Sequence, residues 1–402
     1  MTPSRTLRLD RLLDLLMPVL ATVVALLIGA VMLVLMDADP IRAYQALYEG
    51  AFGTKNAVAD TLIKATPLLL VGIGICISFR GGVINIGGEG QMIVGGLAAT
   101  ALALSMPDAR AEVLIPACLV ASFAAGAVWG GIAGVLKAYF NVNEILSTVM
   151  LNQVATYWMI YLMNNTLIDP DQLTAASRIP ETDRLPRQSD LPRIGGWLDS
   201  IYDWLGLGGA DAARWTPTLL HVGTIIAVVF AVLVYIFLWR TTLGYRIRAV
   251  GKNPRASRYA GIRVKRYTVL SLLLSGGFAG LAGGIQVLGV RHRMSAEGGA
   301  IAFTGNAGFN GIVAALFGKL HPLGTIPASV LFGALLVGGN KLQRTVQVPS
   351  ALITVLISLV IVFVVSSDLW SRQRARRRVA VAAAEPAASP GGSAAIEMDQ
   401  AK

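Results

Sequence analysis

Apolar residues run along this 402-residue chain in ten blocks, at roughly 14–36, 57–79, 84–105, 113–137, 145–164, 218–239, 268–290, 305–318, 323–340 and 350–367. Most are close to the ~20 residues that carry an α-helix across a hydrocarbon core. Inside lipid the backbone has no water to bond, so helix is the form such runs take. The pattern predicts an all-α polytopic membrane protein of about ten transmembrane helices. The eighth block is short and rich in glycine, which predicts a broken or re-entrant helix. Five spans per half make the second half inverted relative to the first, a plan common among transporters.

The polar intervals set the direction of the chain. Arg240 to Arg266 holds nine Lys or Arg residues and no Asp or Glu, so this loop is expected in the cytoplasm. Counting spans outward from it puts both termini there too. Residues 1–13 carry Arg5, Arg8 and Arg11, and the run after them is too long for a signal-peptide core, so it reads as a retained first helix. The basic 371–402 tail is expected to be disordered. The domain plan is a first five-span half at 14–164, an ordered extracytoplasmic loop at 165–217 with a short helix near 196–207, and a second half at 218–370 whose cytoplasmic loop is 240–267. Residues 37–56 read as the first outer loop. Arg291, Arg293, Lys341 and Arg344 fall outside, against the charge rule.

Composition narrows the class. Charged residues make up 14% of the chain, against roughly 25% in soluble domains. The net charge of +11 does not point to nucleic acid, because the cations gather at the termini and the central loop, where lipid headgroups and topology account for them. Cys76 and Cys118 lie in apolar runs, so neither a disulfide nor a metal site is expected. The chain lacks a GxxxxGK[ST] phosphate loop and an HExxH pair, so it is not expected to hydrolyse ATP or hold a cofactor of its own. Span interiors hold few ionisable residues beyond Lys64 and Glu89, fewer than a proton-coupled carrier needs.

Four segments carry the candidate chemistry. In NIGGEGQ, a glycine cluster opens an apolar helix, and Asn85, Glu89 and Gln91 either complement that helix start or line a path. In NEILSTVMLNQVA, Ser147, Thr148, Asn152 and Gln153 recur at near-helical spacing, which suits helix–helix hydrogen bonds or pore lining. In GNAGFNGIVAALFGKLHPLG, Asn306 and Asn310 supply amides and Phe309 an aromatic face for packing or for stacking on a flat solute. In the central loop, Asn253-Pro254 starts a short helix that Gly261 ends, presenting Arg255 and Arg258. That helix is either a basic membrane-surface element or a docking surface.

Together these segments resemble the permease subunit of binding-protein-dependent ABC importers of the branched-chain amino acid, ribose and nucleoside type, most closely the nucleoside and simple-sugar branch. NIGGEGQ is similar to that branch's NIGAEGQ, NEILSTVMLN to NEVISTIMLN, GYRIRAVGKNPRASRYAGI to RAVGxNPxAAxYAGI, and GFNGIVAALFGKLHPLG to GFDGIAVALLGxxNPLG. The resemblance covers about 48–365. It implies a type II importer-like fold and alternating access driven by separate cytoplasmic ATPases carrying ATP and magnesium. It further implies a second permease, copy or paralogue, and an extracytoplasmic solute-binding protein, all at the bacterial inner membrane among its lipids. Arg248, Gly251, Asn253, Pro254, Arg255, Arg258 and Gly261 would form the ATPase-coupling segment. Asn85, Glu89, Gln91, Asn152, Asn306, Phe309 and Asn310 are the substrate-path candidates. Asn310 stands where the branch usually has Asp, and Asn306-Ala307 where Gly-Tyr is common, so specificity is open. Nucleosides lead as cargo, then ribose-like sugars, then branched-chain amino acids. A stand-alone secondary transporter and a membrane scaffold are the rival readings.

Overall fold

A computed structural model describes residues 20, 23–174, 179–205, 214–347 and 349, with isolated positions between 354 and 366. The N-terminal 1–19, most of the predicted tenth span and the 371–402 tail lie outside the described residues. The chain forms two units, one comprising Met1–Met32 with Val355–Lys402, the other Leu33–Thr354. Described parts of the first are helical, including the start of helix α1 (Val23–Leu35).

The second unit is built from helices in this order. They are α2 (Pro40–Phe52), α3 (Lys55–Arg80), α4 (Gly88–Ser105), α5 (Ala111–Phe140), α6 (Glu144–Asn164), α7 (Pro170–Thr174), α8 (Gly195–Trp204), α9 (Gly223–Arg240), α10 (Thr242–Lys252), α11 (Pro254–Tyr259), α12 (Val264–Gln286), α13 (Gly299–Thr304), α14 (Ala307–Phe317) and α15 (Pro322–Val346). A π-helical turn, Val287–Arg291, extends α12. Among the described residues, six helices are long and apolar enough to cross a membrane: α3, α5, α6, α9, α12 with its π turn, and α15. The protein is therefore a multi-pass, all-α membrane protein. The described residues do not confirm the expected count of ten. The third predicted span begins late, because 84–87 is loop and α4 starts at Gly88. The eighth is one short helix, α14, separated from α13 ahead of it by Gly305 and Asn306, both left-handed (φ +60° and +58°).

Residues 37–56 are not a loop. Asp39 accepts from the N–H groups of Ile41 and Arg42, Pro40 takes the first helical position, and α2 follows. Its Ala43, Ala46, Gly50 and Ala51 are buried, with Gly50 seated on Gly338 and Lys341 of α15. The Lys341 ammonium meets Glu49 at 2.8 Å. Arg293 likewise pairs with Glu181 at 2.5 Å, and Arg291 donates to the Ala302 carbonyl. Lys341 and Arg293 are thus held by partners distant in sequence, which local charge counting does not register.

Helix α3 is buried all round from Ala65 to Ser78 and forms the centre of the unit. Beside it, α12 packs on α4 and α5 through glycines. A Cβ on Gly280 would strike the Ser122 carbonyl and the Gly126 backbone, and one on Gly283 the Met92 carbonyl. Lipid supplies no hydrophobic drive between helices, so close backbone approach must supply the attraction.

The loop between α6 and α9 is ordered where described. Leu185, Leu191 and Thr182 donate backbone N–H groups to His292, Leu288 and Met294, tying the loop to the end of α12. The expected short helix is α8, whose Asp199 accepts from the Trp215 and Thr216 N–H groups at 2.7 and 2.9 Å and so ties the segment ahead of α9 to it. His221, ahead of α9, is buried, and its Nδ1 accepts from the Gly223 N–H. Burial, then the neighbouring His292, pushes its pKa down to about 4. Its folded value lies below the unfolded one, so the stability it contributes is present above about pH 6.5 and is lost as pH falls through about 4. Protection factors of amides across 179–205 and 214–222, taken against the intrinsic exchange rate at each pH, should therefore fall as pH is lowered between these values, and His221→Gln should flatten that dependence. A second test concerns packing. Gly280→Val should lower stability by at least about 1–3 kcal/mol in detergent unfolding, whereas Gly196→Ala, with nothing within 4 Å of the added carbon, should not.

Candidate functional site

The loop that enters α4 is held by a knot of buried amides. Asn85 donates to Gln91 Oε1 at 2.9 Å and to the Ser275 hydroxyl at 2.8 Å, while its Oδ1 accepts from the Gly87 N–H and from Gln91 Nε2. Asn152 of α6 clamps the same loop from the other side. Its Oδ1 accepts from the Gly90 N–H at 2.8 Å and its amide donates to the Ile86 carbonyl at 3.0 Å. The Thr148 hydroxyl accepts from the Ile86 N–H. Asn85, Gln91 and Asn152 are thus buried with their amides spent on the chain itself. The structure gives these three path candidates a positioning role. Among the other polar residues of α6, Ser147 is buried beside them and Gln153 is exposed.

Just beyond the knot, two helix starts abut. Gly88 sits against Gly308, so the N-termini of α4 and α14 approach backbone to backbone. Each brings unpaired N–H groups and the positive end of a helix dipole. Glu89 is buried at this junction and its Oε1 accepts from the Phe309 N–H at 3.3 Å, while Oε2 is enclosed without a hydrogen-bond partner. Asn306 and Phe309 are exposed here and Asn310 is half-buried. Glu89, Asn306, Phe309 and Asn310 therefore come together, and the Asn85 knot stands behind them.

The predicted coupling residues lie at one end of the unit, next to the ends of α3 and α14. Asn253 caps α11 by accepting from the Ala256 N–H at 3.0 Å, Pro254 opens the helix, and Gly261 leaves it with φ +76°. Arg255, Arg258 and Tyr259 are exposed, Tyr259 at 94%. Gly251 sits directly on the Arg80 carbonyl and on Gly81–Gly82, where any side chain would collide with backbone. Arg248 behaves differently from the other coupling candidates: its guanidinium lies 5.5 Å from the centre of the Trp239 ring, with Arg80 at 5.3 Å from the same ring. Arg80 also donates to the Leu320 carbonyl at 3.1 Å, and His321 packs on Trp239. Burial, then Arg80, lowers the His321 pKa.

Comparison with known proteins gives this arrangement its context. Residues 57–365 match the family described as "Branched-chain amino acid transport system / permease component". The chain belongs to that permease family. It is 35% identical to the guanosine ABC transporter permease protein NupP of Bacillus subtilis, over 89% of this chain and 94% of that one. Identity is 31% to the glucose ABC transporter permease protein TsgB13 of Haloferax volcanii (89% and 88%). It is 30% to the nucleoside ABC transporter permease protein NupB of Lactococcus lactis (87% and 90%). No solved structure matches.

The permease also has a cavity that sequence reasoning missed. About 210 Å³ opens among α3, α12, α13, α14 and α15, and its polar lining is Lys64, Gln286, Thr304 and Asn340. Lys64 stood out in the sequence only as an intramembrane cation. Gln286 and Asn340 are lone amides in glycine-rich apolar helices, and that isolation was the available signal. Removing the knot tests its structural role. Asn152→Leu leaves the Gly90 N–H and Ile86 carbonyl unpaired and should cost about 1–3 kcal/mol, read as a lower unfolding temperature and reduced yield of assembled complex.

Proposed function

We propose that this permease imports nucleosides by alternating access, powered by separate ATPase subunits that bind ATP and magnesium. The observation that carries the reading is α11. This capped helix presents Arg255, Arg258 and Tyr259 to solvent, while Gly251 immediately before it is seated on the α3–α4 turn. A partner that moves α11 pushes on backbone rather than on flexible side chains. Family membership, and relatives named for guanosine, nucleoside and glucose transport, support an ABC importer with nucleosides ahead of sugars or branched-chain amino acids.

In this reading the ATPase end is cytoplasmic, as the nine cations of 240–266 require. Both termini are cytoplasmic, and the protein resides in a bacterial plasma membrane. A second permease, copy or paralogue, completes the pathway, and a binding protein delivers solute to the outer loops. Solute passes the junction of Glu89, Asn306, Phe309 and Asn310.

The test is charge reversal. Arg255→Glu with Arg258→Glu should lower solute uptake per ATP hydrolysed by about tenfold or more, the effect of ~1.4 kcal/mol or more at a charged interface, with unchanged thermal stability. Unchanged coupling in the reconstituted transporter would refute the docking role. At the junction, Glu89→Gln should alter transport kinetics at normal complex yield. Loss of assembly instead would make Glu89 a structural residue.

A further inference from the structure

The cavity beside the Glu89 junction contains side chains that the rest of the chain leaves without bonds. Gln286 is only 8% exposed, yet its amide has no hydrogen-bond partner among the described residues. A buried amide left this way is costly unless something outside the chain pairs with it. Lys64 and Asn340 reach the same cavity, and they too form no hydrogen bond or ion pair with the described residues. The fourth polar wall is Thr304, whose hydroxyl donates to the Ala300 carbonyl and accepts from the Asn306 N–H, which leaves one oxygen lone pair for a further donor. Buried Gln286, with exposed Lys64 and Asn340, lines one 210 Å³ space from three helices.

Their chemistry specifies the ligand. Lys64 offers three N–H donors and no acceptor, and two amides add four more donors with two carbonyl acceptors. The cavity lining holds no carboxylate, so its excess is in donors. The nearby formal charges balance, since Asp60 and Arg291 lie close to Lys64, and Glu89 lies beside Thr304 of the lining. A neutral solute rich in acceptors suits it better than an anion. The volume is below the roughly 300–1,000 Å³ of sites that enclose a whole drug-sized ligand, so the cavity grips one moiety. Among nucleobases, a 6-oxopurine presents adjacent oxygen and ring-nitrogen acceptors that a lysine ammonium pairs with, whereas adenine puts an amino donor there.

We propose that Lys64, Gln286, Thr304 and Asn340 form the base-recognising subsite of this permease, and that it selects 6-oxopurine nucleosides over adenosine. The proposal rests on the nucleoside-import reading and adds the residues and the preference.

The experiment uses the transporter purified with its native partner subunits, reconstituted in vesicles, with tracer uptake of guanosine, inosine and adenosine. Wild type should favour guanosine and inosine. Lys64→Met and Gln286→Leu should reduce that preference about tenfold, the loss expected for one charge-assisted or buried hydrogen bond. Lys64→Arg, which keeps donors and charge, should preserve most of it at equal complex yield. Wild-type preference in both Lys64→Met and Gln286→Leu would overturn the subsite alone. Stronger competition by guanosine monophosphate than by guanosine would overturn the neutral-ligand assignment. A wild-type transporter that imports no nucleoside would sink the nucleoside reading, and this proposal with it.

Discussion

The contact on which the structure turns is Gly251 against Gly81–Gly82. It is backbone on backbone: a Cβ at Gly251 would collide with the Arg80 carbonyl, and one at Gly82 would approach the Gly251 Cα to 2.8 Å. Gly82 also has φ +75°, a conformation costly for any residue with a Cβ. Side-chain contacts can absorb a small displacement by changing rotamer, but this one cannot. It ties the helix bearing the exposed cations to the end of α3 and to the loop that leads into α4.

From that joint a continuous set of contacts leads into the membrane-spanning core. The 82–87 loop is stiffened by Asn85, which bonds Gln91 and Ser275, and by Asn152, which bonds Gly90 and Ile86. Those bonds fix where α4 begins, and α4 begins against α14. An amide in lipid is expensive unless paired, and the chain places satisfied amides behind the helix starts. Asn85 and Gln286 are both buried and polar. Only Asn85 has hydrogen-bond partners among the described residues.

That distinction explains what the amino-acid pattern could and could not reveal. Hydropathy read the long spans, glycine content read the break before α14, and Asn253-Pro254 with Gly261 read α11, because each signal is local. Helix α2 was missed although Asp39-Pro40 is a helix-start signal: a 13-residue helix is too short to register as a span, and the interval was read as a loop. The pairing of Lys341 with Glu49 spans 292 residues and that of Arg293 with Glu181 spans 112. No window-based reading reaches so far. The path candidates divided for the same reason. Asn152 and Asn306 look alike in sequence, but one is enclosed by the 86–90 loop and the other is exposed.

Glycine serves two mechanical purposes in this fold, and their geometry differs. Along α12, Gly276, Gly280 and Gly283 meet α4 and α5 at successive turns. Several contacts spaced along two axes resist both sliding and rotation, so α4, α5 and α12 behave as one block. Gly251, near the end of α10, meets the α3–α4 turn, while Gly244 of the same helix seats on the Phe237 and Leu238 backbone of α9. Helix α10 is thus joined through backbone at both ends, to α9 and to the α3–α4 turn, and the Asn85 knot holds the loop that follows that turn.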